Sequence, residues 1–133
     1  MVDIDRISGD VLDLSIRLHR ELGPGLLESV YETVLAAHLE TLGYCTRRQV
    51  PTPILFEGRH FDAVFRADIL VESQIIVEVK STNHLHPAHT KQLLTYLRLA
   101  RLPLGLLVNF GGVLLKDEFK RIVNDYKPLV PRE

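Results

Sequence analysis

Residues 75–81 read Ile-Ile-Val-Glu-Val-Lys-Ser, a β-branched run with one carboxylate and one ammonium set into it. Ile75-Ile76-Val77 is strongly strand-forming, because branched side chains suit a pleated, half-buried surface. Side chains alternate along a strand, so Glu78 and Lys80 share one face while Val77 and Val79 take the other. The preceding run, about Phe61 to Val71, is a second strand carrying Asp68. A three-residue turn, Glu72-Ser73-Gln74, places Asp68 opposite Glu78 on the same face. A two-residue turn at Glu72-Ser73 instead sets Ala67 opposite Glu78 and aims Asp68 away. The register therefore decides whether the two acids meet.

Upstream, Gln49 to Phe56 is apolar and β-branched but broken by Pro51 and Pro53, which confines it to a sheet edge. Before it lie two helices. Ile4, Ile7, Val11, Leu14, Leu18 and Leu22 recur at helical spacing, and Gly23-Pro24-Gly25 stops that run. The second helix spans about Leu26 to Leu42, with Gly43 as its stop. Downstream, His89, Leu93, Tyr96, Leu97 and Ala100 mark a helix over about residues 86–101. Leu104 to Phe110 reads as a buried strand, and Gly111-Gly112 signals a hairpin into Val113–Lys116. The tail from Asp117 to Asn124 fits two descriptions. Phe119, Arg121 and Val123 alternate like a strand, yet the segment also suits a short helix. The order α-α-β-β-β-α-β-β predicts an α/β fold in which one mixed sheet is flanked by helices.

The 133 residues suffice for a single domain spanning 1–133, with 46% hydrophobic and 25% charged residues. Sixteen Lys and Arg against seventeen Asp and Glu leave a net charge of -1, so no global cationic field draws the chain to nucleic acid or membrane. Cys45 stands alone, which excludes an internal disulfide and a cysteine zinc site and suits a reducing cytoplasm. The longest apolar run, Pro103 to Val108, is far short of the roughly 20 residues of a membrane helix. The N-terminus mixes charges with apolar residues, unlike a signal peptide. A cytoplasmic, soluble domain is the expectation.

Two carboxylates abreast on a sheet repel, and a divalent cation removes the conflict. Mg²⁺ suits such a site, since it takes hard oxygen ligands and keeps waters that a phosphate can replace. Lys80, one pleat on, adds a fixed positive charge. The plainer interpretation is a solvated strand with a surface ion pair. Two helical pairs bear on the choice: Gln92 with Tyr96, four apart, and Glu28 with Tyr31, three apart. A carboxylate at Glu28, on a helix that must turn one face to the sheet, needs a reason. Either tyrosine equally suits core packing with its hydroxyl reaching a partner.

Gly25-Leu26-Leu27-Glu28-Ser29-Val30-Tyr31 spells Gly-x-x-Glu-x-x-Tyr. Together with RADILV around Asp68, IIVEVKS, QLLTYLRL around Gln92 and Tyr96, and GLLVNFG near residue 108, the chain resembles the bacterial GxxExxY proteins of the PD-(D/E)XK nuclease superfamily. The resemblance runs from about Ile7 to Asn124. It implies a restriction-endonuclease-like core and a metal held by Glu28, Asp68, Glu78 and the Val79 carbonyl, with Mg²⁺ favoured over Mn²⁺. It also implies that Lys80 acts at the phosphate and that Gln92 and Tyr96 support the substrate side. Ala67 replaces the superfamily's name-giving proline.

The implied chemistry is hydrolysis of nucleic-acid phosphodiesters, DNA favoured, by a metal-activated water. Lys80 either loses its proton when buried and acts as a base, or stays charged. Adjacent carboxylates favour the charged form, which orients water and stabilises the crowded phosphate. From Val79 through Lys116 there is no Asp or Glu, whereas Lys80, Lys91, Arg98, Arg101 and Lys116 fall there. That stretch makes either a basic rim for a polyanion or an ordinary exposed helix face. His84, His86 and His89 have loosely ligand-like spacing without a fourth ligand, which places them on a loop above the site. Small domains with this active site often pair as homodimers. The competing expectation is a nuclease-fold module that binds nucleic acid or a protein partner without cutting.

Overall fold

In the computed structural model, residues 2–124 are described, apart from the side chains of residues 63 and 64. The first helix, α1 (Ile4–Leu22), is capped by Asp3, whose carboxylate accepts from the Arg6 N–H at 3.0 Å. It buries Ile7, Val11, Leu14 and Leu18 along one stripe. The second, α2 (Glu28–Thr41), starts two residues later than its apolar spacing suggested, because residues 24–27 form the connecting turn. Strands β1 (Thr46–Phe56), β2 (Arg59–Val71) and β3 (Ile75–Lys80) follow, then α3 (Pro87–Ala100), β4 (Leu104–Asn109), a 3₁₀ turn (Leu115–Glu118) and β5 (Phe119–Val123).

The five strands lie in sequence order, with β3 and β4 parallel and the other neighbours antiparallel. This is the expected mixed sheet with helices packed against it. β1 is an edge, which lets it carry Pro51 and Pro53 without breaking a ladder on both sides. One sheet face, with Ile69, Val71, Ile75, Val77, Val79, Leu106 and Val108, packs on α1 and α2 through Val11, Tyr31 and Leu35. The other carries Ile76 and Leu107 against Leu93 and Leu97 of α3. Full burial of each such aliphatic side chain stabilises the fold by roughly 1.5–3 kcal/mol.

The hairpin expected from Gly111-Gly112 into a strand at Val113–Lys116 is not formed; the last strand is β5, in the tail that fitted two descriptions. The cause is a close approach of backbones. A Cβ on Gly111 would lie 2.2 Å from the Thr82 carbonyl oxygen, so glycine is there to admit the chain after β3 rather than to turn a hairpin. Residues 111–114 then bend away, and the chain returns as β5, paired antiparallel with β4 at the sheet's edge.

Candidate functional site

The pairs Val71↔Ile75, Leu70↔Ile76 and Ile69↔Val77 fix the β2–β3 turn as the three residues Glu72–Gln74. One step further along that register stand Asp68 and Glu78. Backbone pairing ends there, and side chains take over. Asp68 Oδ2 accepts from the Val79 N–H at 2.9 Å, and the Asp68 N–H donates to Glu78 Oε2 at 3.4 Å. β2 also changes face at this point. Ile69 and Val71 pack with α1 and α2, whereas Phe65 and Ala67 pack with α3.

Glu78 is the most perturbed group. Burial, the neighbouring Asp68 charge and a hydrogen bond to Asp68 push its pKa up to about 9, with Lys80 partly opposing them. Two carboxylates abreast, one of them unwilling to ionise, form a donor set that suits Mg²⁺ or Mn²⁺. Such ions take one or two carboxylates and keep several waters, and their charge offsets the repulsion.

Glu28 stands apart from this pair. At the exposed start of α2, its Oε2 accepts from the Ser81 N–H at 3.3 Å, and Ser81 Oγ donates to the Leu26 carbonyl at 2.8 Å. The end of β3 is thereby tied to the turn before α2. The expected three-carboxylate centre of Glu28, Asp68 and Glu78 is not assembled. Among the described residues, no group of three His, Cys, Asp or Glu side chains is placed to hold a metal ion. Each of the three accepts one backbone N–H, Val79 for Asp68, Asp68 for Glu78 and Ser81 for Glu28, and it is Ser81 that holds Glu28 at the end of β3.

Lys80 is partly buried at the end of β3, and its carbonyl accepts from the Phe110 N–H at 2.8 Å. Its ammonium acts electrostatically on Glu78 and on His89. His89 is lowered below the usual imidazole range by burial first, then by Lys80 and His86, while Glu28 opposes. His86 and His89 cap α3: the Ala88 N–H donates to His86 Nδ1 at 3.0 Å, and the His86 N–H to His89 Nδ1 at 3.4 Å. His84 is exposed on the loop between β3 and α3.

On α3, the Tyr96 ring stacks on Phe65 at 3.8 Å, and Gln92 is exposed, with no hydrogen-bond partner among the described residues. Tyr31 is wholly buried. It stacks on Phe110 at 4.3 Å, donates its hydroxyl to the Gly23 carbonyl and accepts from the Leu26 N–H at 3.2 Å. Its role is to pin the turn that presents Glu28.

Three parts of this region have little or no local signal in the sequence. Ser81 follows the strand motif without distinction. Glu32 is buried, and both of its oxygens are engaged, by Arg48 and by Gln49. Asn109 accepts from the Thr82 and Gly111 N–H groups and donates to the Thr82 carbonyl and Glu118. A polar residue in the wholly buried strand β4 is the one clue that pointed to Asn109.

The crystal structure of SSO0001 is similar to this chain at 20% identity and a TM-score of 0.46, over 90% of this chain and 68% of that one. No curated protein matches. A family model described as the PD-(D/E)XK nuclease superfamily matches residues 5–122, a span that takes in Glu28, Asp68, Glu78 and Lys80 and runs from α1 into β5. The chain belongs to the PD-(D/E)XK nuclease superfamily.

Proposed function

We propose that residues 1–133 form one metal-dependent nuclease domain of the GxxExxY branch, cutting phosphodiester bonds of nucleic acid, with DNA the favoured substrate. One observation carries this reading: Asp68 and Glu78 stand together where β2 and β3 part, with Lys80 one pleat along from Glu78. Asp68, Glu78 and the Val79 carbonyl would hold Mg²⁺ or Mn²⁺, with Glu28 joining by leaving Ser81. When bound, the ion supplies a polarised phosphoryl oxygen and a water of lowered pKa. Lys80 contributes a fixed positive charge where negative charge builds on the phosphate. Lys80 and the positive end of the α3 dipole lie on that side of the site, a combination that favours an anion. Cys45 as lone thiol suits a cytoplasmic setting, and among the described residues no helix is long and apolar enough to cross a membrane.

A second reading has its own observation. Among the described residues no three-ligand metal group is assembled, which, as the side chains stand, favours a nuclease-fold module that binds nucleic acid or a protein partner without cutting. The readings part on one experiment. Purified protein is incubated with single-stranded, duplex and branched DNA and with RNA, with and without Mg²⁺ or Mn²⁺, beside Glu78→Ala. Metal-dependent cutting that disappears in the variant supports the enzyme. Binding without cutting under every condition supports the silent module.

A further inference from the structure

One turn beyond Glu28 on α2, Glu32 is 4% exposed, deep for a carboxylate. Its Oε2 accepts from Arg48 Nε and Nη2, each at 2.9 Å, and its Oε1 accepts from Gln49 Nε2 at 2.9 Å. The same Gln49 nitrogen reaches Asp68 Oδ1 at 3.4 Å. A side-chain amide has two hydrogens, so one nitrogen can serve both carboxylates at once. The far oxygen of Asp68 is held by the Val79 N–H.

The backbone is shaped for this contact. Gln49 lies within β1, yet its φ is 52°, in the left-handed region. Its neighbours keep the ladder, Arg48↔Ile69 and Val50↔Ala67, but Gln49 itself is unpaired with Asp68 across from it. Its carbonyl accepts instead from Arg66 Nη1 at 3.0 Å. A strained, non-glycine residue inside a strand persists where its surroundings over-determine it. Here those surroundings are a buried acid, two arginines and the aspartate of the candidate site.

We infer that Gln49 is a positioning residue, held by Glu32, that fixes the Asp68 carboxylate in the orientation needed to take a divalent cation. The inference rests on the nuclease reading and extends it to a second layer of the site. With one donor on each oxygen, Asp68 cannot rotate freely, and each oxygen keeps a further lone pair. Groups that orient a metal-binding carboxylate in this way typically change affinity or activity by about 10–100-fold when removed.

The test uses Gln49→Gly, which accepts the left-handed backbone and lacks the amide, with Gln49→Asn as a second variant. Asparagine also tolerates that backbone, but its amide is one methylene short. The readouts are thermal unfolding, Mn²⁺ titration in the absence of nucleic acid, kcat and KM on the best substrate, and the Gln49 side-chain amide resonances. We expect Gln49→Gly to remain folded with a melting temperature near wild type, relief of the left-handed backbone being set against the donor that Glu32 loses. It should bind Mn²⁺ about tenfold more weakly and lose about 10–100-fold in kcat, with KM within about twofold. In metal-free protein, Asp68→Asn and Glu32→Gln each shift the Gln49 amide resonances. Unchanged Mn²⁺ affinity and kcat in both Gln49 variants, beside an active wild type, overturn the positioning role alone. A wild type that neither binds Mn²⁺ nor cuts overturns the nuclease reading and this role together.

Discussion

Two polar clusters flank the end of β3, and they are built on opposite principles. On the β4 side, Asn109, the register partner of Lys80, is buried and fully bonded: to Thr82 twice, to Gly111 and to Glu118. Glu118 in turn accepts from the Leu85 N–H at 3.2 Å. Every donor has an acceptor, and the loop after β3 is held in one place. On the β2 side, Asp68 and Glu78 set two acceptors of like charge against each other, and the conflict appears as a carboxyl pushed up to about 9. A satisfied network specifies structure, whereas an unsatisfied one gains most from something added to it. On the proposed function, chemistry belongs to the second cluster and rigidity to the first.

That division breaks if the β2-side residues govern stability, or if the β4-side residues govern cutting. The largest expected effect is from Glu78→Gln, which should lower kcat by about 1,000-fold, because a carboxylate that would hold the cation is lost. The same variant should stabilise the metal-free protein at neutral pH. Folded Glu78 keeps its proton until about 9, while the unfolded chain releases it near 4.5, so the folded state holds the extra proton between those values. Wild-type stability should therefore fall as pH rises through that window, and urea unfolding of Glu78→Gln should show a flatter pH profile.

Next in size, Lys80→Ala should reduce kcat by about 100-fold, while Mn²⁺ titration shows affinity within a few-fold of wild type. Wild-type cutting in this variant removes Lys80 from the chemistry. On the other side of β3, Asn109→Ala should cost about 1–3 kcal/mol in urea unfolding, because the Thr82 and Gly111 groups and Glu118 lose their partner in a buried place. It should leave Mn²⁺ affinity nearly unchanged; a loss there would merge the two clusters into one. The smallest effect concerns His89. Its folded pKa lies below the ordinary value, so the unfolded chain takes up the proton first, and stability falls as pH drops through about 6.5. His89→Gln should remove that part of the acid-side slope in thermal melts.

Much of this is legible in the sequence, for a definable reason. Periodicity and strand alternation are local, so α1 and the edge strand with its prolines follow from nearest-neighbour geometry. The turn after Val71 narrows to two lengths, of which the three-residue one forms and sets Asp68 beside Glu78. What was hidden is what depends on distant partners. Gly111 reads as a hairpin residue until Thr82, 29 positions earlier in sequence, is seen to occupy the space of its missing Cβ. Glu32 looks like a solvated helix residue until Arg48 and Gln49 close over it. Glu28 was grouped with the other two acids by resemblance, and nothing in its helix reveals that Ser81 offers it a nearer donor.

The Tyr31–Phe110 stack has a mechanical consequence. Tyr31 sits three residues after Glu28, and the Phe110 N–H is bonded to the Lys80 carbonyl, so helix start and strand end are geared through two aromatic rings. A polyanion that pulled on the ammonium would load the same linkage that carries the helix acid. The charge at the helix start and the charge at the strand end would then travel together rather than one at a time.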